Sequence, residues 1–294
     1  MRALFKPVDL LSLAFIALLS TVVAVFSRSL PSWGWLLGRY GMLVIAIVSS
    51  AHYARRSKRG RQALHLHAFL PVLVVPVLFD SLGDLIPWIW PRYIDEYLIR
   101  IDYALFGVHP TLWMERFIQP ALTDLLQLAY VSYYIIPISL GITLAVRKKQ
   151  EHFDEAVFGI ILCFYLSYIG YLLFPAIGPR FTLDHLQTLG FQGSPMAEAI
   201  QNALNRLENT KTDAFPSGHT AVALITLYYA RKCREDILFW MLLPVTSALV
   251  FSTVYLRYHY VIDVIAGMLL TMITIYLAPH LYRKLKRSPE PIHQ

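Results

Sequence analysis

Apolar runs of about 20 residues recur along this chain, and they constrain its fold more than any other feature of the sequence. A run of that length crosses the hydrocarbon core of a bilayer as one α-helix. Charged residues make up only 15% of the 294 residues, whereas about a quarter is usual in a soluble domain. The sequence therefore predicts an all-α fold, a polytopic membrane helical bundle of about eight spans with a further segment in the membrane interface.

The boundaries of the expected helices follow from these runs and from the polar stretches between them. No small-residue cleavage site is evident near Ser27, so we expect the first run to remain as a helix. The segment 86–120 is too polar to span, and its part from Ile94 to Leu105 is predicted to be an amphipathic helix in the aromatic-rich interface. The predicted spans cover approximately residues 9–26, 36–54, 64–85, 122–146, 153–174, 216–231, 237–255 and 259–283.

Short basic clusters stand at the ends of the apolar runs, as the positive-inside rule expects. If the cluster at 55–61 is cytoplasmic, then the clusters at 147–149, 231–234 and 283–287 are cytoplasmic as well. This topology leaves both termini cytoplasmic and places the long loop 175–215 outside. These clusters carry most of the Lys and Arg behind the net charge of +7, so that charge does not indicate nucleic-acid binding.

A run of polar and small residues opens the sixth predicted span on the outer side. Pro216 suits the start of a helix, and Ser217 can cap the N–H groups there. Those N–H groups and the helix dipole form a ready anion site, and Gly218 would let a ligand approach the backbone closely. His219 follows directly, so an imidazole stands next to the predicted anion site.

A second polar run, at the start of the eighth predicted span, reaches the same side of the membrane. His259 and Asp263 stand at i and i+4, which predicts that they share one helical face. A carboxylate beside an imidazole can fix its tautomer and support positive charge on it. Together with His219 and Arg257, this pattern suggests phosphoryl transfer through a histidine.

These two runs resemble the second and third signature motifs of the type 2 phosphatidic-acid phosphatase superfamily. The matching residues are Pro216-Ser217-Gly218-His219 and His259-x-x-x-Asp263, and Ser252 stands where the third motif begins. Thr253 occupies the position of the family's usual Arg.

The first family motif, Lys-x6-Arg-Pro, is absent, and the nearest run is 174–180 with Leu173 in place of the Lys. The missing Lys and the run 257–260 are more similar to the inositol phosphorylceramide synthase branch, as is the stretch 95–134. The resemblance covers roughly residues 90–280. It divides the chain into N-terminal transmembrane helices (1–85), a transmembrane catalytic domain (86–288) and a disordered tail (289–294).

The resemblance implies a lipid phosphatase or phosphotransferase that acts at the extracytoplasmic face. In that mechanism His259 attacks phosphorus, Asp263 orients its ring, and His219 protonates the departing oxygen. The donor would be a lipid phosphate or a phospholipid, and the acceptor would be water or a lipid or polyol hydroxyl. No cofactor and no metal are expected, since arginines and backbone amides supply positive charge. The expected phosphate-binding groups are Arg180, Arg257, Ser217 and Gly218; the alternative for the two arginines is contact with lipid headgroups.

Four carboxylates form a weaker set of candidates for contact with a substrate headgroup. Asp80 and Asp84 lie one turn apart near the outer end of the third span, where they either orient a headgroup or an arginine of the site or form a helix-end feature close to water. The helix end is the favoured interpretation. Asp95 and Asp102 lie on the interfacial segment, and it is the family resemblance that draws attention to them.

Two residues shortly before Pro216 and the remaining histidines carry weaker signals. Lys211 and Asp213 either contribute to the site or belong to a solvated loop, and the loop is the favoured interpretation. The other histidines considered, expected to be interface or loop residues, are His65, His67, His109 and His185.

A lipid or solute transporter that uses the same charges for binding is the alternative from another functional class. Transporters usually show internal repeats and helices interrupted near the middle of the membrane. Neither feature is evident here, and the candidate charges cluster at one interface, so the enzyme is the favoured interpretation.

Overall fold

The structure, a computed structural model, describes residues 4–56, 67–190, 192–207 and 210–286. The predicted tail at 289–294 lies outside these residues, as do 57–61 of the first basic cluster and the start of the predicted third span. Throughout the described residues the chain is helical and has no β-strand apart from one isolated bridge, so the all-α prediction is confirmed. In chain order the helices are α1 (Pro7–Val25), α2 (Trp33–Arg56), α3 (Pro71–Ile89), α4 (Asp95–Phe106), α5 (Pro110–Trp113), α6 (Pro120–Val131), α7 (Ile135–Val146), α8 (Gln150–Leu173), α9 (Pro179–Thr182), α10 (Pro195–Leu207), α11 (Gly218–Lys232), α12 (Asp236–Tyr255) and α13 (Val261–Lys286).

The long helices have the length and apolar composition of an integral, multi-pass membrane protein. Within the described residues, seven helical segments are long and apolar enough to cross a membrane, counting α6 and α7 as one. Eight spans were predicted, and the predicted sixth span is not among these seven. Its helix, α11, has 15 residues and a length of about 22 Å, below the roughly 30 Å of the hydrocarbon core. Most of its residues are buried, so α11 lies inside the bundle among longer helices.

Helix α8 occupies the centre of the bundle. It packs against α1, α3, α7, α11 and α13. Its buried tyrosines Tyr165, Tyr168 and Tyr171 belong to a core cluster shared with α1, α2, α3 and α13. The helices that carry His219 and Asp263 therefore share one central support.

Ion pairs hold the predicted cytoplasmic clusters together at one end of the bundle. Glu235 is the centre of this group, because its buried carboxylate binds two basic residues of the 147–149 cluster. Both clusters and the first and last helices therefore share one end, as the predicted topology requires. The pairs join Glu235 to Arg147 at 2.9 Å and to Lys149 at 2.7 Å, Lys6 to Asp154 at 2.9 Å, Lys286 to Glu151 at 3.7 Å, and Lys232 to Glu155.

The predicted fourth span is not one continuous helix. A 3-10 turn at Ser132–Tyr134 separates α6 from α7. Pro137 accounts for this break, since it has no N–H to donate to the carbonyl one turn before it. The break matters for the site because Tyr133 lies within it.

Helix α4 confirms the predicted amphipathic helix, with two of its carboxylates on the inside. Asp95 and Asp102 are buried, whereas Tyr97 and Tyr103 are 66% and 53% exposed. An outward aromatic face of this kind is typical of a segment at a membrane interface.

Candidate functional site

The two histidines that the sequence predicts to act together lie against each other in the structure. Nε2 of His259 is 3.5 Å from Nδ1 of His219, and both side chains are buried. A close crossing of α11 and α13 makes this possible. A side chain at Gly267 on α13 would come within 2.6 Å of the Ser217 carbonyl oxygen, so only a glycine permits the approach. The Ser217 N–H also donates to the Asp263 carbonyl at 3.0 Å.

His259 itself lies in a turn, and the predicted helical face shared by His259 and Asp263 is wrong. Helix α13 begins at Val261, two residues after His259. Helix α12 ends at Tyr255, and Arg257 beyond it lies in the left-handed region at φ 63°. The Thr253 carbonyl accepts from the His259 N–H at 3.0 Å. This turn reverses the chain and still brings Nδ1 of His259 to 3.5 Å from the Asp263 carboxylate.

The first partner of the His259 ring is a backbone carbonyl rather than the predicted carboxylate. Nδ1 of His259 is 2.8 Å from the carbonyl oxygen of Ala214, and Asp263 is the more distant neighbour. Because a carbonyl can only accept, this contact fixes the proton on Nδ1 and the lone pair on Nε2. The nitrogen with the lone pair therefore faces His219. Asp263 also accepts from the Tyr260 N–H at 2.8 Å, which fixes the carboxylate.

Two tyrosines enclose His219. Its ring centroid lies 4.5 Å from that of Tyr130 and 4.2 Å from that of Tyr133. Its Nε2 is buried and has no hydrogen-bond partner among the described residues. No functional signal marks these tyrosines in the sequence, because aromatic residues three apart in an apolar segment look like ordinary packing.

A small cleft beside His259 is lined in part by Arg180, the residue predicted to bind phosphate. The guanidinium lies 4.8 Å from the centre of the Tyr258 ring and donates to Oδ1 of Asn205 at 3.0 Å. The cleft is also lined by Lys211 and Asp213, so these two residues are not simply part of a solvated loop.

Arg257 does not line this cleft. It is buried, donates to Glu115 at 2.9 Å and forms a short hydrogen bond to Gln187. Burial lowers the pKa of Arg257, and the Glu115 carboxylate opposes that shift. In this structure the positive charge of Arg257 is therefore matched by an internal partner. Sequence reasoning missed Glu115, which is far away in the chain and has no motif around it.

Ser217 and Gly218 have structural contacts. Ser217 is the N-cap of α11, as predicted, and its Oγ accepts from the Thr220 N–H at 3.3 Å. The helix begins at Gly218 rather than at Pro216. A side chain at Gly218 would overlap the Tyr171 hydroxyl, so a tyrosine fills the space predicted for a ligand.

Asp95 binds the turn that leads to Arg180. Its carboxylate accepts from the backbone N–H groups of Ile177 at 3.0 Å and Gly178 at 2.8 Å. It also accepts from the Tyr260 hydroxyl at 2.9 Å. The carboxylate thus joins the Arg180 turn to the His259 turn, which differs from the predicted contact with a headgroup.

Asp102 caps helix α13 from outside that helix. Its two oxygens accept from the N–H groups of Val261 and Ile262, each at 2.9 Å. Burial raises the pKa of Asp102, while these two hydrogen bonds oppose the shift. Helix α4 therefore holds both turns of the site through Asp95 and Asp102, whose carboxylates accept from backbone N–H groups of those turns.

Asp80 and Asp84 form ion pairs near the outer end of α3, apart from the cleft. Both bind Arg39 of α2, at 2.7 and 3.3 Å, and neither lines the cleft. In the part of the chain that the structure describes, no group of three or more His, Cys, Asp or Glu side chains is placed to hold a metal ion.

Comparison with known proteins adds an independent line of evidence. A family model described as the PAP2 superfamily matches residues 96–277. A PA-phosphatase related-family protein of Dictyostelium discoideum is 25% identical over 217 residues, which cover 66% of this chain but 38% of that protein. This chain thus aligns with less than half of that relative. No solved structure matches the chain. Neither match names the inositol phosphorylceramide synthase branch, so that closer resemblance stays a prediction.

Proposed function

The chain belongs to the PAP2 superfamily, and from that premise we propose that it is an integral membrane lipid phosphatase or lipid phosphotransferase working through a phosphohistidine. One observation carries the proposal. Nδ1 of His259 is anchored on the Ala214 carbonyl, and its Nε2 faces His219 beside a cleft that contains Arg180. An oriented nucleophile, a second imidazole and a cation are the groups that phosphoryl transfer requires.

In the first half of the reaction, Nε2 of His259 forms a bond to phosphorus as the bond from phosphorus to the leaving oxygen breaks. His219 donates a proton to that oxygen, so the leaving group departs as a neutral alcohol. The proton on Nδ1 stays hydrogen-bonded to Ala214 throughout. The nearby carboxylate of Asp263 stabilises the positive charge that the ring acquires on attack.

The positive groups of the site divide into two roles in this proposal. Arg180 lines the cleft and contacts the phosphoryl oxygens, for which a guanidinium offers two parallel N–H donors. Arg257 holds the His259 turn against Glu115. Ser217 and Gly218 form the start of α11, whose dipole favours negative charge nearby.

In the second half, an acceptor oxygen forms a bond to phosphorus as the bond from phosphorus to Nε2 of His259 breaks, which frees His259. His219 takes the proton of the acceptor and so returns to its protonated form. Water as the acceptor makes the enzyme a phosphatase, and a lipid or polyol hydroxyl makes it a transferase. The donor in this proposal is a lipid phosphate or phospholipid, and an inositol-containing phospholipid is one member of that class. We further propose that the reaction needs no metal ion and that residues 86–288 are the catalytic part, with 1–85 as additional transmembrane helices.

The proposed location follows from charge. The end that contains the 147–149 and 231–234 clusters is cytoplasmic under the positive-inside rule, which leaves the site on the extracytoplasmic face. A cysteine at the exposed Gln192 should then react with an impermeant thiol reagent in intact cells, whereas one at the exposed Lys148 should not. The reverse labelling pattern would overturn this orientation.

The activity is tested by incubating purified protein with labelled lipid phosphates and phospholipids, with and without hydroxyl acceptors and EDTA. We expect release or transfer of the phosphoryl group or phospho-headgroup that EDTA leaves unchanged and that His259→Ala abolishes. Turnover by the His259→Ala variant at the wild-type rate would refute the proposal. Loss in EDTA with recovery in Mg²⁺ would refute its metal-independent part.

A further inference from the structure

Lys211 is a second cation of the cleft, and like Arg180 it donates a hydrogen bond to Asn205. Among the described residues that line the cleft, the Lys and Arg side chains are Arg180 and Lys211. Arg180 donates to Oδ1 of Asn205 at 3.0 Å, and the Lys211 ammonium donates to the Asn205 carbonyl at 3.1 Å. The two charged groups therefore converge on one residue at the rim of the cleft.

Lys211 lies on an extended segment that borders the cleft. Burial alternates along residues 210–214, with Thr210, Thr212 and Ala214 buried and Lys211 and Asp213 half-buried. Such a period of two is typical of an extended segment with one face packed and the other open. Lys211 and Asp213 of the open face line the cleft, together with Thr210 and Ala214 of the packed face.

This segment is also fixed to the rest of the site. The Thr210 hydroxyl donates to the Phe79 carbonyl at 2.8 Å, and the Ala214 N–H donates to the Ala176 carbonyl at 3.0 Å. Ala214 in turn accepts from His259. Lys211 thus stands three residues before the carbonyl that orients the nucleophile, on a segment anchored on both sides.

The present partners of the two cleft cations distinguish them from Arg257. Arg180 and Lys211 bind neutral amide oxygens of Asn205, whereas Arg257 binds the carboxylate of Glu115. A phosphoryl oxygen carries more negative charge than an amide oxygen and makes stronger, charge-assisted hydrogen bonds. Substrate can therefore replace Asn205 as their partner, while Arg257 would have to leave an ion pair.

We propose that Lys211 is a substrate-binding and catalytic residue that holds the phosphoryl oxygens together with Arg180 while His259 attacks. This inference rests on the proposed function and deepens it, because two cations of the cleft that bind neutral oxygens of Asn205 favour a phosphoryl group with two negative charges. Lys211 supplies a point charge, and Arg180 supplies the directional pair of N–H donors. Negative charge that accumulates on these oxygens in the transition state strengthens both contacts.

The test compares Lys211→Gln, Lys211→Arg and a control, Lys148→Gln, at the exposed opposite end of the bundle. For Lys211→Gln we expect kcat/KM on a lipid phosphate monoester to fall by about 10²–10³-fold, the usual cost of losing one group that stabilises transition-state charge. The inhibition constant of inorganic phosphate should rise in the same variant. Lys211→Arg should recover most of both values, since it restores the charge, and Lys148→Gln should match the wild type.

Retained wild-type kcat/KM and phosphate inhibition in a folded Lys211→Gln variant would overturn the role of Lys211 and leave the proposed function intact. An equal loss in Lys211→Arg, with normal thermal stability, would also overturn it, because charge would then not be the property that matters. Absence of phosphoryl chemistry in the wild type would instead refute the proposed function and this inference with it. An equal fall on a singly charged phosphodiester substrate would contradict the preference for the doubly charged group.

Discussion

Each end of the bundle contains a buried histidine beside an aspartate. The two pairs differ in the contact made by the ring nitrogen that faces away from the aspartate. At the basic end, Nε2 of His67 lies 3.1 Å from Asp9 and its Nδ1 lies 3.0 Å from the Ser50 hydroxyl. At the opposite end, Nδ1 of His259 meets a carbonyl and its Nε2 meets His219 beside the cleft.

Both nitrogens of His67 are held by polar side chains that belong to the helix packing. The Asp9 carboxylate also accepts from the Lys6 backbone N–H at 2.7 Å and so serves the start of α1. His67 was expected to be an interface or loop residue, and its burial corrects that expectation. The comparison teaches that a buried His–Asp contact does not define a nucleophile. What distinguishes His259 is a nitrogen that faces a second imidazole and a cleft with cations.

The largest expected effect separates the two histidines directly. His259→Ala should reduce turnover by about 10⁴-fold or more, because a covalent nucleophile has no substitute. His67→Ala should retain wild-type kcat in the folded fraction, while losing roughly 3–5 kcal/mol of stability if the Asp9 charge is left buried without its partner. Turnover assays and thermal unfolding of both variants check this. A folded His67→Ala protein without activity would break the comparison.

His219→Ala should have the next largest effect, and its size should depend on the leaving group. Loss of a general acid costs about 10²–10⁴-fold on a lipid substrate, whose alkoxide departs poorly without a proton. A nitrophenyl phosphate ester needs little protonation, so this variant should keep much more activity on that substrate. His259→Ala should lose both activities. Equal losses of His219→Ala on the two substrates would contradict the separate roles of the histidines.

Asp263→Asn should be milder than either histidine change. The Ala214 carbonyl already fixes the tautomer of His259, so Asn removes a nearby negative charge without releasing the ring. We expect a fall in kcat well below the ~10⁴-fold typical when a carboxylate is the sole orienting partner. Asp9→Asn is the matched change at the other end and should leave kcat unchanged. A loss as large as that of His259→Ala would show that Asp263, not Ala214, holds the ring.

The smallest expected effect is that of Ser50→Ala. The change removes one hydrogen bond to His67 and should lower stability by about 0.5–1.5 kcal/mol without changing kcat. Denaturation in detergent and a standard turnover assay measure the two quantities. A clear loss of kcat would mean that the basic end of the bundle influences the chemistry.

The helical fold and the meeting of the two motifs could be predicted because both leave local signals in the sequence. Apolar runs set the helices, and the capping residue Ser217 next to His219 marks the start of α11. The basic clusters predict which helix ends lie on the same side of the bundle. The ion pairs of Glu235 with Arg147 and Lys149 place two of these clusters together, as predicted.

The remaining features depend on contacts between distant parts of the chain. Ala214 acts through a backbone carbonyl, which leaves no signal in the residue type. Asp102 was considered as a headgroup contact because its sequence position cannot reveal that two amides of α13 reach it. Arg257 looked available for phosphate because its partner Glu115 lies 142 positions away. Tertiary packing determines each of these contacts, so a local pattern in the sequence does not reveal them.

The most direct test of the proposed mechanism is to trap and map the covalent intermediate. The wild type is mixed with a lipid phosphate that bears a radiolabelled phosphoryl group, quenched in alkali during turnover and digested for peptide mapping. We predict an acid-labile, alkali-stable label on His259 that is absent from His259→Ala and retained in His67→Ala. Turnover without any trapped label in the wild type, or a label that persists in His259→Ala, would contradict the phosphohistidine mechanism.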